Sequence, residues 1–433
     1  MDKTRVIQQQ FDIGIVGGGI TGLIAAYELS QSGLSVILWE AEQELGGLAA
    51  SFYFNNQPLE RFYHHIFEGD QEIINLINEV GLDNQLIFGR AESAIYWSGK
   101  LHPFSKPTDL LKFQPLNLWQ RLISGYNLWY LKKTAWRNLD NISASAWLRA
   151  YLGEKSYQIL WQPLLEGKFG KYSDDIALGW FWSRLARSEN LGYLRGGFEN
   201  LFEKLENLVE KKDGSIKLGE TVETITPMGS GFELKTNIGE YRCEKVLVTT
   251  APKIFNNLIS NYIDKSYRHQ YYHQHYFGTI CLILSLKQQL TPYYWININD
   301  LNCPFIVMVE HTNWQPKYRY HNQNIIYLNR YCPNDDKFYK MRKEGLIEAA
   351  LPWLKKMNAN FSKEWIEESY LFWEPFAQPI VDVKYHQTIP DIKTSLKNLY
   401  LASMAQIYPY DRGLNYAVKQ AKEAAKIILK EGA

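Results

Sequence analysis

The chain has 433 residues, a net charge of +1 at neutral pH, 15% aromatic residues including 14 Trp and 29 Tyr, and four cysteines. That length holds two or three domains with substantial cores, and the balanced charge gives no footprint for nucleic acid or for a strongly charged membrane partner. The aromatic content fits a large aromatic core, a substrate cavity walled by flat rings, or both.

Cys243, Cys281, Cys303 and Cys332 are scattered and form no CxxC. This speaks against disulfides and zinc and fits a reducing cytoplasm. The N-terminal MDKTRVIQQQ is polar, and no apolar run approaches the ~18 residues of a membrane span. The expectation is a cytoplasmic protein, soluble or at most peripheral, without an integral membrane segment.

The first predicted unit runs from Phe11 to Gly47. Ile13–Val16 is a short β-branched run and reads as a buried parallel strand. It breaks into Gly17, Gly19 and Gly22, a G-x-G-x-x-G. Helix-forming residues follow over Ile20–Leu29, with Gly33 at the place of a C-terminal cap. Ser35–Trp39 is a second strand and ends on Glu40. Gly17 permits the tight turn, Gly19 lets a pyrophosphate approach the backbone, and Gly22 lets helix and strand pack closely. The helix N-terminus offers unpaired N–H groups to phosphates. Glu40 lies 18 residues past Gly22, close to the roughly 20 expected of an acid that accepts ribose hydroxyls. Strand, glycine turn, helix, second strand and terminal acid together predict a dinucleotide site.

Leu45–Phe52 carries a second glycine pair, Gly46 and Gly47, which again lets backbone approach a ligand. Glu60–Phe67 is a dense aromatic and basic cluster. Asp70–Val80 reads as a short amphipathic helix ending at Gly81. Helices are expected over Leu118–Lys133, Ser143–Leu152 and Ser173–Arg187, the last capped by Ser173 with Asp174 and Asp175 in its first turn. The stretch Asn117–Leu131 is amphipathic and aromatic, compatible with a core-facing helix, a membrane-surface helix or a channel wall. Leu194–Phe198 leads into a helix over Glu199–Lys211. Strands follow over Ser215–Leu218, Gly219–Ile225, Phe232–Thr236 and from Lys245 to a turn at Pro252. Tyr276–Leu286 and Asn324–Asn329 read as strands of a second, antiparallel sheet, with a helix over Lys340–Leu354 and a strand near Ser369–Trp373. Leu399–Ser403 is a final strand and Gly413–Lys430 a long closing helix.

In this order the pieces resemble the flavin-dependent amine oxidase superfamily, which includes protoporphyrinogen oxidases and, more distantly, UDP-galactopyranose mutases. The resemblance rests on GGGITG (Gly17–Gly22), Glu40, LGGLAAS (Leu45–Ser51), LRGGF (Leu194–Phe198), ETVETI (Glu220–Ile225), VLVTTAP (Val246–Pro252) and LYLASMAQIYPYDRGLNYA (Leu399–Ala417). It implies an α/β fold: a Rossmann-like, GR2-type FAD-binding domain of residues 1–100, 187–265 and 390–433, and an α+β substrate domain of residues 101–186 and 266–389. It also implies FAD, with the ADP part at Gly17, Gly19, Gly22 and Glu40, adenine contacts from the Val222 backbone, and the flavin ring near Gly46, Gly47 and Arg412, Gly413, Leu414 and Asn415. A helix N-terminus there suits the charge that reduced flavin develops. The chain departs from the family pattern at Leu48, where Arg is frequent, and at Ser403, where Gly is usual. No cysteine follows Cys332, so non-covalent FAD is expected.

Tyr63–Phe67 (YHHIF) and Gly99–Phe104 are similar to segments of UDP-galactopyranose mutases, whereas DRGLNYA is similar to a branch grouped with protoporphyrinogen oxidases. The resemblance thus implies hydride transfer from a small organic substrate to flavin N5, with O2 or another electron acceptor; the alternative is a flavin-dependent sugar mutase. Histidine titrates near neutrality, so His64 or His65 is a candidate proton acceptor; their alternation predicts opposite directions in an extended segment. Arg61 is a candidate for an anionic substrate group. Tyr408 and Tyr410 are candidate cage residues at the closing helix, and Glu310, His311, Arg330 and Glu374 candidate substrate contacts. His269, His273 and His275 have an H-x-x-x-H spacing but no acid at useful distance, so no metal site is expected.

Overall fold

A computed structural model describes residues 10–187, 190–259, 262–263 and 274–431. The opening strand spans Gln10–Val16 and the second Val36–Trp39. They pair in parallel, Ile13 against Val36 and Val16 against Trp39. Strand Ser215–Lys217 extends this sheet beside Val36–Trp39, and Glu240–Val248 lies on the other side of Gln10–Val16. The chain then turns back antiparallel through Gly231–Thr236 and Val222–Met228, and Leu399–Leu401 pairs in parallel with the end of Glu240–Val248. The sheet thus draws strands from the start, middle and end of the chain.

Its central strands are buried on both faces, as a parallel sheet requires. One face packs against helices Ile20–Gln31, Glu199–Glu210 and Leu414–Lys430 through Leu23, Leu201, Val418 and Ala421. The other packs through Ile37, Val246 and Leu401 against Phe255 and Leu258.

A second seven-stranded sheet runs in the order Ile366–Pro379, Tyr276–Leu286, Asn324–Cys332, Val307–Glu310, Trp295–Ile298, Ser93–Trp97 and Lys100–Pro103. All its pairings are antiparallel except Trp295–Ile298 with Ser93–Trp97. The boundary expected at residue 100 therefore falls inside a hairpin of this second sheet. A small three-stranded sheet of Ile66–Phe67, Leu191–Leu194 and Leu86–Gly89 stands beside these.

Residues 107–186 form a helical layer, with helices Pro107–Lys112, Leu118–Lys133, Ala144–Leu152, Glu154–Leu160, Gln162–Phe169 and Leu178–Ala186. The helix expected from Ser173 begins instead at Leu178. Ser173–Asp175 form only a turn, and Ile176 and Ala177 are extended, Ile176 in a bridge with Asp382 and Ala177 with Ser143. The helix from Leu178 has no side-chain cap, whereas Ser143 caps helix Ala144–Leu152, its Oγ accepting from Ala146 N at 3.3 Å. Helices Glu154–Leu160 and Gln162–Phe169 were not expected; Gly153, Pro163 and Gly167 break the periodicity that would reveal them. The strand expected over Gly219–Ile225 starts later, at Val222, because Gly219 takes a φ of +67° that ends extended pairing.

Candidate active site

The glycine turn after Gln10–Val16 takes the form its residues require. Gly17 has a φ of +106° and its N–H donates to Trp39 O at 2.8 Å. A Cβ on Gly22 would lie 1.9 Å from Gly17 O, so only glycine fits. The second glycine pair folds onto this turn: Gly46 N donates to Gly18 O at 2.9 Å, and Gly19 and Gly46 form a parallel bridge. Gly46 has a φ of +107°, and a Cβ on Gly47 would come within 3.2 Å of Gly19 Cα.

Glu40 accepts from Gly18 N at 2.6 Å through Oε2 and from Glu42 N at 2.9 Å through Oε1. Burial raises its pKa and these N–H donors oppose the rise. A groove of about 290 Å3 runs along this cradle, lined by Gly17, Gly19, Glu40, Gly46 and Gly47, and reaches Gly413 and Leu414 at the start of the closing helix. Bare backbone from two loops and an uncapped helix N-terminus suit the phosphates of a dinucleotide. The residues present therefore fit FAD.

A larger cavity of about 500 Å3 shares Leu48, His64, Arg412, Gly413 and Leu414 with the groove. His64 and His65 both line it, rather than facing opposite ways. They precede strand Ile66–Phe67 in irregular backbone, where two-residue alternation does not hold. His64 Nδ1 lies 2.6 Å from Phe62 O; a carbonyl only accepts, so Nδ1 carries the proton and Nε2 is the free lone pair. Burial, then Arg412, lowers the His64 pKa to about 4, against a partial rise from Phe62 O. Burial, Arg187 and His64 lower that of His65 to about 3. Both rings are neutral at physiological pH.

Stability follows from these shifts. Below an unfolded pKa near 6.5 the unfolded chain binds protons that the native rings refuse, so acid favours unfolding. The melting temperature is expected to fall progressively as pH drops from about 6.5 toward 4, and His65→Phe to flatten that fall, measured by thermal melts at stepped pH.

Part of the cavity wall is cationic. Asp411 accepts from Lys168 Nζ at 2.8 Å, Arg184 Nη1 at 2.7 Å and Trp180 Nε1 at 3.2 Å, with Arg187 Nη2 at 3.4 Å. Arg412 adjoins it, held by Tyr331 Oη and by Gln378 Oε1 at 3.3 Å. Burial alone would raise the Asp411 pKa, but Lys168, Arg187 and Arg184 hold it well below the usual carboxylate range. Burial lowers that of Lys168 well below the usual lysine value, with Asp411 opposing. Three guanidiniums and a lysine thus surround one carboxylate, with Asp70 the other acid on the cavity wall.

Only some of the other expected residues line these two spaces. Arg61 pairs with Glu44 at 2.6 Å, lies over the Phe372 ring and lines neither cavity. Asn415 lines the larger cavity, but its Oδ1 accepts from Glu72 N at 2.9 Å and Ile73 N at 3.2 Å. It thereby satisfies the first turn of helix Gln71–Glu79. Val222 pairs with Thr236 and lines neither cavity; nearby, Glu220 N donates to Glu40 O at 2.9 Å.

Tyr410 stacks on Tyr416 at 4.5 Å, and Tyr416 lines the cavity; Tyr408 bonds Asp140 instead. Glu374 lines the groove. Glu310 accepts from Leu290 N and Thr291 N, both at 2.8 Å, His311 meets Tyr320 Oη at 2.9 Å, and Arg330 donates to Pro304 O at 3.0 Å; none of the three lines either cavity. His275 stacks on Tyr172, while His269 and His273 lie outside the described residues. Among the described residues no group of three or more His, Cys, Asp or Glu could hold a metal.

Lys168, Arg184, Arg187 and Asp411 had not been expected. Asp411 beside Arg412 in YPYDRGLNYA was the one local signal; the cations that meet it lie more than 220 positions away.

Comparison with known proteins agrees with this geometry. The family model described as flavin containing amine oxidoreductase matches residues 20–429. The coproporphyrinogen III oxidase of Staphylococcus aureus is 25% identical over 288 residues, which is 57% of this chain and 61% of that protein. The mitochondrial protoporphyrinogen oxidase of Nicotiana tabacum is 25% identical over 220 residues, 50% of this chain and 40% of that one. The chain thus spans less than two thirds of the length of these relatives. Among solved structures, a proposed protoporphyrinogen oxidase from Exiguobacterium sp. 255-15 superposes with a TM-score of 0.78 at 20% identity, covering 98% of this chain and 99% of that one. Cyclohexylamine oxidase from Brevibacterium oxydans does so with a TM-score of 0.77 at 15% identity, over 98% and 99%. These likenesses carry the fold, and the family match carries the rest: the chain belongs to the flavin containing amine oxidoreductases.

Proposed function

We propose that this protein is an FAD-dependent oxidoreductase that takes hydride from a small organic substrate carrying an anionic group. The observation behind this reading is the junction at His64, Arg412, Gly413 and Leu414, where a glycine-lined groove opens into a cation-walled cavity. Bound FAD supplies a hydride acceptor at N5.

The chain does the rest. Gly17, Gly19, Gly22, Gly46 and Gly47 admit the phosphates, and Glu40 stands at the ribose end. Gly413 and Leu414 present a helix N-terminus where negative charge develops. None of Cys243, Cys281, Cys303 and Cys332 lines the groove, which supports non-covalent attachment. Arg184, Arg187 and Lys168 hold the substrate anion in place of the expected Arg61, and Arg412 orients the end nearest the groove. His64 accepts a proton at Nε2, Trp295 and Tyr63 help wall the cavity, and His65 packs against Trp295 at 5.8 Å. The segments expected to form the FAD-binding and substrate domains are proposed in those roles, with O2 or another oxidant as acceptor.

Two measurements test this. Anaerobic titration with candidate anionic substrates is expected to bleach the flavin absorbance, and a panel that never does so removes the proposal. Arg187→Gln is expected to raise the KM for a substrate by about tenfold or more, or the Ki of an anionic competitor if substrate is lacking, equivalent to ~1.4 kcal/mol; an unchanged value removes the anionic assignment. The same cations suit the diphosphate of a nucleotide sugar, which favours a mutase as the second reading. Turnover of a UDP-sugar only after dithionite reduction would select it.

A further inference from the structure

Helix Leu118–Lys133 turns its apolar side outward. Leu118, Trp119, Leu122, Tyr126, Trp129 and Tyr130 are all exposed, Trp119 at 70% and Trp129 at 58% of their surface. At 3.6 residues per turn these six cover roughly a third of the helix circumference. The opposite side, with Ser124 and Leu131 buried and Leu128 partly buried, faces the protein. The helix thus has one anchored face and one apolar face that none of the described residues covers, and hydrating such a face is unfavourable.

Charge decides what covers it. The helix contains no Asp or Glu, and Lys132 and Lys133 end it. Exposed Lys112 and Arg137 flank it. Residues 104–155 hold eight Lys or Arg against three Asp or Glu, a net +5 within a chain whose whole net charge is +1. A second copy docked on this face would set like charges against each other. Exposed Trp and Tyr interleaved with Leu and edged by Lys is instead the chemistry of a bilayer interface, where amphipathic rings sit at headgroup level and lysines meet anionic lipid. Among the described residues no helix is long and apolar enough to cross a membrane, so the contact lies in the membrane plane.

We propose that the outer face of helix Leu118–Lys133 seats in the headgroup region of a bilayer containing anionic phospholipid and holds the enzyme on its surface. The helix packs through Leu110 and Phe113 onto the cluster of Ile95, Ile159 and Leu160, and Ile95 and Leu160 line the larger cavity. Attachment here leaves the helix and that cluster between the lipid and the cavity.

The test is flotation of the full-length, FAD-supplemented protein with phosphatidylcholine vesicles and with vesicles containing about one-third phosphatidylglycerol. The protein is expected to float with the anionic vesicles, less so at high salt, with Trp119 and Trp129 emission shifting to the blue. Trp119→Ser with Trp129→Ser is expected to lower the bound fraction at least tenfold with an unchanged melting temperature. Lys132→Glu with Lys133→Glu, which alters surface charge alone, is expected to abolish the preference for anionic vesicles and serves if the first variant misfolds. No flotation with either vesicle overturns the proposal, as does flotation that neither variant weakens. So does a wild-type dimer by light scattering that the double Ser variant dissolves, since that would assign the face to a second copy.

Discussion

Asp411→Ala is expected to destabilise the protein by about 3–5 kcal/mol, the range for removing one partner of a buried ion cluster. Asp411 is 5% exposed, and its carboxylate is the common partner of Lys168, Arg184 and Arg187. Without it the positive groups repel one another at low dielectric, and Trp180 Nε1 loses its acceptor. Because Asp411 precedes Arg412 and Gly413, the disturbance reaches the junction of groove and cavity directly. Denaturant unfolding measures the loss. The charge account separates from a packing account with Asp411→Asn, which keeps the shape and is expected to lose most of the same stability. A change below about 1 kcal/mol for both variants would mean that the cations find other partners.

Gly22→Ala is expected to weaken FAD binding at least a hundredfold, about 2.7 kcal/mol. The added Cβ would stand 1.9 Å from Gly17 O and 2.9 Å from Thr249 Oγ1. Gly17 O is backbone and also accepts from Thr249 Oγ1 at 3.0 Å, so it has little room to retreat. The turn must open, moving Gly17 away from the helix N-terminus it presents to phosphate. Gly33→Ala is the control: Gly33 has a φ of +81° but nothing within 4 Å of its Cβ position. It is expected to cost about 1 kcal/mol of stability and to leave FAD binding intact. Equal FAD affinity in Gly22→Ala and wild type, by fluorescence titration, would contradict the role given to the turn.

The parts legible in the sequence are those whose physics is local. The glycine turn, its helix and Glu40 follow from spacing within one βαβ unit, and strand Tyr276–Leu286 has the bounds its apolar run predicts. The closing helix starts one residue late because Gly413 serves as its N-cap. The candidate site was legible only where it meets that local logic.

Asn415 is expected at the cofactor because a helix N-terminus marks such a place; its side chain also reaches across to cap helix Gln71–Glu79, 342 positions away. Arg61 lies in a basic cluster that reads as functional, yet hairpin geometry sends it to Glu44. The Asp411 cluster gathers side chains from two helices and a loop, so no window of sequence contains it. For helix Leu118–Lys133 the periodicity showed two faces but not which one the protein would use.

The account rests on a dinucleotide seated across the two glycine loops with its flavin end at Gly413. The most direct measurement is the absorption spectrum of the purified protein, reconstituted with FAD if necessary, followed by acid precipitation. Bands near ~450 nm in the native protein and FAD recovered in the supernatant are predicted. A colourless protein that takes up no FAD when it is offered would contradict the account; flavin retained in the pellet would contradict non-covalent binding alone.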